Sequence, residues 1–104
     1  MTLAVQTFSG EKTREGYFDV HAAEIDDMPP EVRFVDVREE SEFTGELGHL
    51  PQAELVPLAT VVSAAEQWSR TQPLVLVCRS GNRSAVAAAL LTRLGFVEVA
   101  NLVG

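Results

Sequence analysis

One stretch does more than any other to limit the folds open to this chain. Residues 74–77, Leu-Val-Leu-Val, are a continuous apolar run, the mark of a strand covered on both faces. Cys78 ends the run, and a polar loop over residues 79–82 follows. Residues 83–94 then read as a helix, with Val86, Ala87, Leu90, Leu91 and Leu94 recurring at helical spacing as one apolar stripe. Gly95 is placed to stop that helix as a left-handed C′ residue, with Phe96 folding back onto Leu91. Residues 97–101 read as the next strand. Strand, helix and strand in succession make the class α/β with a mostly parallel sheet.

The rest of the chain fits that frame. Residues 1–16 read as a leader, with a strand candidate at residues 3–8 and a solvated charge run at residues 11–15. Residues 17–104 form the domain. Residues 17–20 are a short strand candidate. Residues 21–28 suit two helical turns, stopped by Pro29-Pro30. The β-branched residues of 32–37 mark a strand. Residues 39–43 suit one turn of helix, 45–51 a loop, 53–56 a brief strand and 61–68 a helix, with Trp68 in the core.

A chain of 104 residues holds one domain of ordinary size. Its formal charge of −7 argues against a nucleic-acid footprint, which needs clustered Lys and Arg. It does not exclude a small anionic substrate, whose binding depends on local charge. No apolar run approaches the ~20 residues of a membrane span, and residues 1–8 lack a basic n-region. The expected location is the cytoplasm, with no membrane partner. A single cysteine excludes an internal disulfide or a CxxC pair.

That cysteine is either a buried small hydrophobe or a nucleophile. A lone cysteine ending an apolar strand is more often inert core. Its neighbours reverse the preference. In open α/β sheets, ligands sit beyond the carboxyl ends of the strands. A helix start there offers free N–H groups and a positive dipole end. The loop Arg79-Ser80-Gly81-Asn82-Arg83 would aim amides at the sulfur, and two arginines add positive charge. Such settings lower a cysteine pKa from about 8.5 to roughly 3.5–7.5. Gly81 supplies positive φ or close approach. Ser80, Asn82 and Ser84 can cap the helix or donate to an anion, with Ser80 or Asn82 the better cap.

At these residues the chain resembles the rhodanese family. Cys78-Arg79-Ser80-Gly81-Asn82-Arg83-Ser84 is similar to that family's active-site loop, including its six-residue length. Phe34-Val35-Asp36-Val37-Arg38 with Glu42-Phe43, and Gly48-His49-Leu50-Pro51-Gln52-Ala53 with Val56-Pro57-Leu58, resemble its other signatures, in family order. The resemblance covers residues 17–104. It implies a rhodanese-like, five-stranded, mostly parallel sheet flanked by helices. It also implies sulfur transfer with Cys78 as catalytic nucleophile and Arg79, Ser80, Gly81, Asn82 and Arg83 as substrate-binding residues. A small anionic donor such as thiosulfate would pass its outer sulfur to Cys78, and a thiol or cyanide acceptor, free or on a protein, would take it. No metal or organic cofactor is required. Family members continue with a Gly-Met-x-x-Trp-like segment and a terminal helix, where this sequence stops. The expectation is a fold without that C-terminal helix, which leaves the oligomeric state and the covering of one sheet face open.

The remaining candidates have two readings each. Asp36 could orient Arg83 or a loop amide, but a structural ion pair or turn cap is preferred. Arg38 and Glu42 are four apart, so they can pair on a helical turn. Ser84, Asp36 and Arg38 are supporting residues. Arg79 points outward to attract anions or is simply solvated. Arg83, a cation at the positive end of a helix, calls for a bound anion or an acidic partner. His49 is better read as satisfied by backbone than as a base, and His21 as a helix-start residue. Two rival functions remain. A non-enzymatic rhodanese-like interaction module is one. A cysteine phosphatase is the other, disfavoured because its loop is one residue longer than the four residues between Cys78 and Arg83.

Overall fold

A computed structural model describes residues 6–103. Five strands form one sheet: β1 (Phe18–His21), β2 (Arg33–Asp36), β3 (Ala53–Leu55), β4 (Leu74–Val77) and β5 (Val99–Val103). Their order is β1-β5-β4-β2-β3, and every pairing is parallel. The apolar run predicted to be covered on both faces is β4, the central strand, and all its residues are buried.

Alternation along the strands divides the core. Val35, Leu74, Leu76 and Val99 face α2 (Leu58–Ala65) and α3 (Asn82–Arg93), meeting Val61, Ala65, Ala87, Ala88 and Leu91. Phe18, Val20, Phe34, Val75, Val77 and Ala100 face the other way. There they pack with Phe8, Ile25 and the partly buried Met28 and Leu50. The sheet's second face is thus covered by a 3₁₀ segment (Ala22–Asp27) and by Phe8, whose ring lies 5.9 Å from that of Phe18. Of the strand candidate at residues 3–8, residues 3–5 lie outside the described residues, and Gln6–Phe8 are not strand.

Several expected boundaries move, each for a local reason. The turns expected at residues 21–28 are 3₁₀, with the Met28 amide donating to Ile25 O at 3.1 Å. Met28 is extended, as a residue before proline prefers. His21 opens this segment, its amide donating to Glu24 Oε2 at 2.6 Å. Helix α2 begins three residues before its expected start, directly after Pro57, whose φ of −53° already suits a helix. Its end tightens into turns that carry Trp68 onto the core edge. β5 runs two residues later than expected.

Helix α3 also turns its face. Ser84, Ala87, Ala88 and Leu91 are buried, whereas Val86 and Leu94 of the expected stripe are exposed. Small residues on the inner face let the helix lie close to β4 and β5, and that closeness outweighs the size of Val86 and Leu94. The helix ends as predicted. Gly95 has φ 100°, its amide reaches Thr92 O, and the Phe96 amide reaches Leu91 O at 3.2 Å, the Schellman pattern. No helix among the described residues is long and apolar enough to cross a membrane.

Candidate active site

The carboxyl end of β4 delivers Cys78 to the mouth of α3. Gly81 bends the chain back with φ 91°. Neither Ser80 nor Asn82 caps the helix; Gly81 occupies the N-cap without a side-chain bond. The bend points the loop inward, so the Gly81 amide donates to Cys78 Sγ at 3.1 Å and the Ser84 amide at 3.4 Å. The Ser84 hydroxyl lies 3.2 Å from the sulfur.

The thiol is half-buried. Burial pushes its pKa up; the Ser84 hydroxyl, whenever its single proton faces the sulfur, and the amides of Ser84, Gly81 and Ser80 act the other way and bring it below the ordinary thiol value. A helix N-terminus that offers donors to sulfur stabilises thiolate, the reactive form.

Two ion pairs frame the loop. Asp36 is fully buried and holds Arg38 through Nε at 3.0 Å, Nη2 at 2.8 Å and the backbone amide at 3.0 Å. These bonds push the Arg38 pKa up. Arg38 Nη2 also donates to Gly48 O at 2.9 Å, tying the end of β2 to the 45–51 loop. Glu42, in α1 (Glu40–Phe43), takes Arg83 in a fork, with Nη1 at 2.7 Å and Nη2 at 2.8 Å. That fork, helped by the Glu39 amide, holds the Glu42 carboxyl down to about 2.

The chain matches the rhodanese-like domain over residues 19–104. It belongs to the rhodanese-like domain family. Two Bacillus subtilis proteins are similar in sequence. YqhL is 30% identical over 100 residues, covering 96% of this chain and 68% of that protein. YrkF, named for a proposed sulfur-carrier role, is 32% identical over 77 residues, covering 74% of this chain and 40% of that protein. This chain therefore spans less than half of YrkF. A rhodanese-like domain protein from Staphylococcus aureus superposes with a TM-score of 0.73 at 26% identity, covering 84% of this chain and 85% of that one. The human single-domain sulfurtransferase shares the fold, with a TM-score of 0.75 at 24% identity over 86% of this chain and 91% of that one.

Within this rhodanese-like domain, the expected site residues separate into groups. Cys78, Gly81 and Ser84 are in direct contact. Arg79 and Ser80 are exposed on the loop's outer side, and Asn82 is exposed at the start of α3. Arg79 lines a shallow cavity of about 230 Å³ with Arg38, Glu42, Gly45, Glu46 and Leu47. Arg83 has its acidic partner in Glu42. The expected Arg38–Glu42 pair does not form, because each residue has a stronger fork elsewhere. Asp36 is the structural ion pair preferred from sequence, and its side chain bonds Arg38 rather than Arg83 or an amide of the sulfur loop. His49 Nδ1 bonds Phe43 O at 2.8 Å and its ring stacks on Phe43.

Asn101 was missed. It is buried in β5 and accepts a hydrogen bond from the Ser84 hydroxyl, one residue removed from the sulfur. An amide in an otherwise apolar interior strand was the available signal. A larger cavity of about 550 Å³ lies among Pro30, Arg33, Phe34, Gln52 and Pro73, and Cys78 takes no part in its lining.

Proposed function

We propose that this domain is a sulfurtransferase that carries sulfane sulfur as a persulfide on Cys78. The observation that supports this reading is the sulfur's seat on the Gly81 and Ser84 amides at the mouth of α3. The thiolate attacks the outer sulfur of thiosulfate or a related persulfide donor. A new S–S bond forms at Cys78 as the donor's S–S bond breaks, and sulfite, or the donor thiolate, leaves with the electron pair. Cyanide or an acceptor thiolate then attacks the terminal sulfur, and Cys78 departs as thiolate. Covalent catalysis divides one transfer into two easier ones. The loop amides stabilise the negative charge on the persulfide.

Atoms and electrons balance in both steps without an outside oxidant, so no cofactor takes part. Cys78 is the single cysteine of these 104 residues, so the acceptor of its sulfur is a group outside this domain. Arg79, Ser80 and Asn82 meet the incoming donor. A free catalytic thiol suits a reducing compartment, and the cytoplasm is the location proposed.

Intact-mass spectrometry tests the reading directly. Incubation with thiosulfate should add one sulfur atom to the protein, and Cys78→Ser should abolish both the adduct and thiocyanate formation from cyanide. Thiocyanate formation retained in Cys78→Ser would place the nucleophile elsewhere. A parent protein that takes no sulfur from any of a panel of donors, yet binds partners, would favour the non-enzymatic module.

A further inference from the structure

The Ser84 hydroxyl has one proton and two neighbours that can accept it. One is Cys78 Sγ at 3.2 Å; the other is Asn101 Oδ1. Asn101 is held in turn, since its Nδ2 donates to Asp19 Oδ1 at 3.3 Å. A relay thus runs from the sulfur through Ser84 on α3 and Asn101 on β5 to a carboxylate on β1. Ser84 and Asn101 are buried, whereas Asp19 is exposed.

We infer that Asn101 is a positioning residue: its amide, oriented by Asp19, decides whether the Ser84 proton faces the sulfur, and so sets the proton affinity of Cys78. This deepens the regulation of the site proposed above, but needs only that Cys78 be a titrating thiol.

The logic is a proton count. An ionised Asp19 can only accept, so it selects the orientation with Nδ2 outward and Oδ1 toward Ser84. Ser84 then donates to Asn101 and presents lone pairs to Cys78. That arrangement accepts a proton from the thiol and gives nothing to the thiolate. Turning the amide over reverses every bond: Nδ2 donates to Ser84, and Ser84 donates to the thiolate. The cost is Oδ1 against the Asp19 carboxylate. The amide's outline is unchanged by the turn, so the two states differ only in which amide atom faces each neighbour and in where the protons lie.

The other charges near Cys78 are accounted for. Arg83 on α3 is paired with Glu42 on α1, and Arg38 after β2 with Asp36. Arg79 stands exposed on the loop itself, and Glu46 lines the neighbouring cavity with it. None of them contacts Ser84 or Asn101 through a hydrogen bond among the described residues.

The test is the pH dependence of Cys78 alkylation by iodoacetamide in the parent chain, Asp19→Asn, Ser84→Ala and the double variant. Each change alters one atom or group at nearly constant shape. An asparagine at position 19 can donate or accept, so it frees the amide to turn. Asp19→Asn should lower the alkylation midpoint by about one pH unit, the size of one hydrogen bond to a charged group. The shift should vanish when Ser84 is already alanine.

An unshifted midpoint in Asp19→Asn overturns the inference. So does an equal shift in the Ser84→Ala background, which would mean that Asp19 acts through space by charge alone. A midpoint raised by about one unit in Ser84→Ala alone also overturns it, because Ser84 would then already be donating to the sulfur. Alkylation reads the proton on sulfur whether or not sulfur is transferred, so failure here is separable from failure of the sulfurtransferase reading.

Discussion

Replacing Gly81 by alanine tests whether the loop's bend is what holds the amides on the sulfur. The left-handed conformation observed at φ 91° costs a residue with a Cβ about 1–2 kcal/mol. Alanine also narrows the unfolded ensemble, which returns about 0.4–1 kcal/mol. No clash adds to this. The new Cβ would meet Leu102 O at 3.7 Å, Val103 Cα at 3.8 Å and Asn101 Nδ2 at 3.9 Å, all ordinary contacts. The net loss is about 1 kcal/mol, which lowers Tm by about 4–8 °C in a domain of this size. Gly81 O accepts from the Ala85 amide at 3.2 Å, so the first turn of α3 resists any escape of the loop. If the loop escapes nonetheless, the Gly81 amide leaves Sγ and the Cys78 pKa rises. Thermal melting and alkylation against pH, measured together, capture both forms of the cost. Gly95→Ala is the comparator: it has φ 100°, open space around it and no part in the sulfur loop. It should lose similar stability with its thiol unaltered. A Gly81→Ala variant with parental Tm and parental thiol titration would refute the argument that positive φ organises the site.

The ion pairs give two further outcomes. Glu42 has its folded pKa depressed to about 2 from an ordinary 4.5. A depressed carboxyl contributes stability that is complete above the unfolded value and is lost as pH falls toward the folded one. Urea midpoints measured from pH 6 down to pH 2 should therefore decline in the parent, and Glu42→Gln should flatten that decline; identical slopes would show that the fork with Arg83 does not form in solution. Asp36→Ala leaves Arg38 buried without its partner, and breaking such a pair costs about 3–5 kcal/mol. Equilibrium urea unfolding reads this, and a loss under about 1 kcal/mol would mean that water reaches Arg38.

What the sequence made legible follows from the range of the forces involved. The apolar run of β4 and the Gly95 stop are set by local chemistry, and both stand where expected. The parallel sheet followed from the same alternation. The face of α3 was misread because apolar size ranked Val86 and Leu94 above Ser84, Ala87 and Ala88. Closeness of approach to a sheet is a tertiary property, and periodicity carries no information about it. The partners of Arg38 were misassigned for a related reason. Helical spacing favoured Glu42, but Asp36, two residues away on an extended strand end, presents its carboxylate to both the side chain and the amide of Arg38. The Glu42–Arg83 fork joins residues 41 positions apart, and Asn101 reaches Asp19 across 82. Neither distance leaves a trace in a single sequence.

The charges around the loop also bear on which group the cradle can take. Arg79 and Arg83 lie in the loop and Arg38 lines the cavity beside it, and two of the three are spent within the protein: Arg38 on Asp36 and Gly48 O, Arg83 on Glu42. With its carboxyl held near 2, Glu42 stays ionised at any neutral pH, so the Arg83 fork is never released by titration there. A phosphoryl group depends on such a fork to neutralise its equatorial oxygens, and here it would have to displace a bidentate carboxylate. A transferred sulfur places a single negative charge at the end of the Cys78 side chain, where the amides of Gly81 and Ser84 already converge. Charge accounting therefore separates the two chemistries independently of loop length. It leaves Arg79 as the loop cation without an ion pair among the described residues, so under the proposed sulfur transfer the attraction of an anionic donor would fall on that side chain and on the backbone.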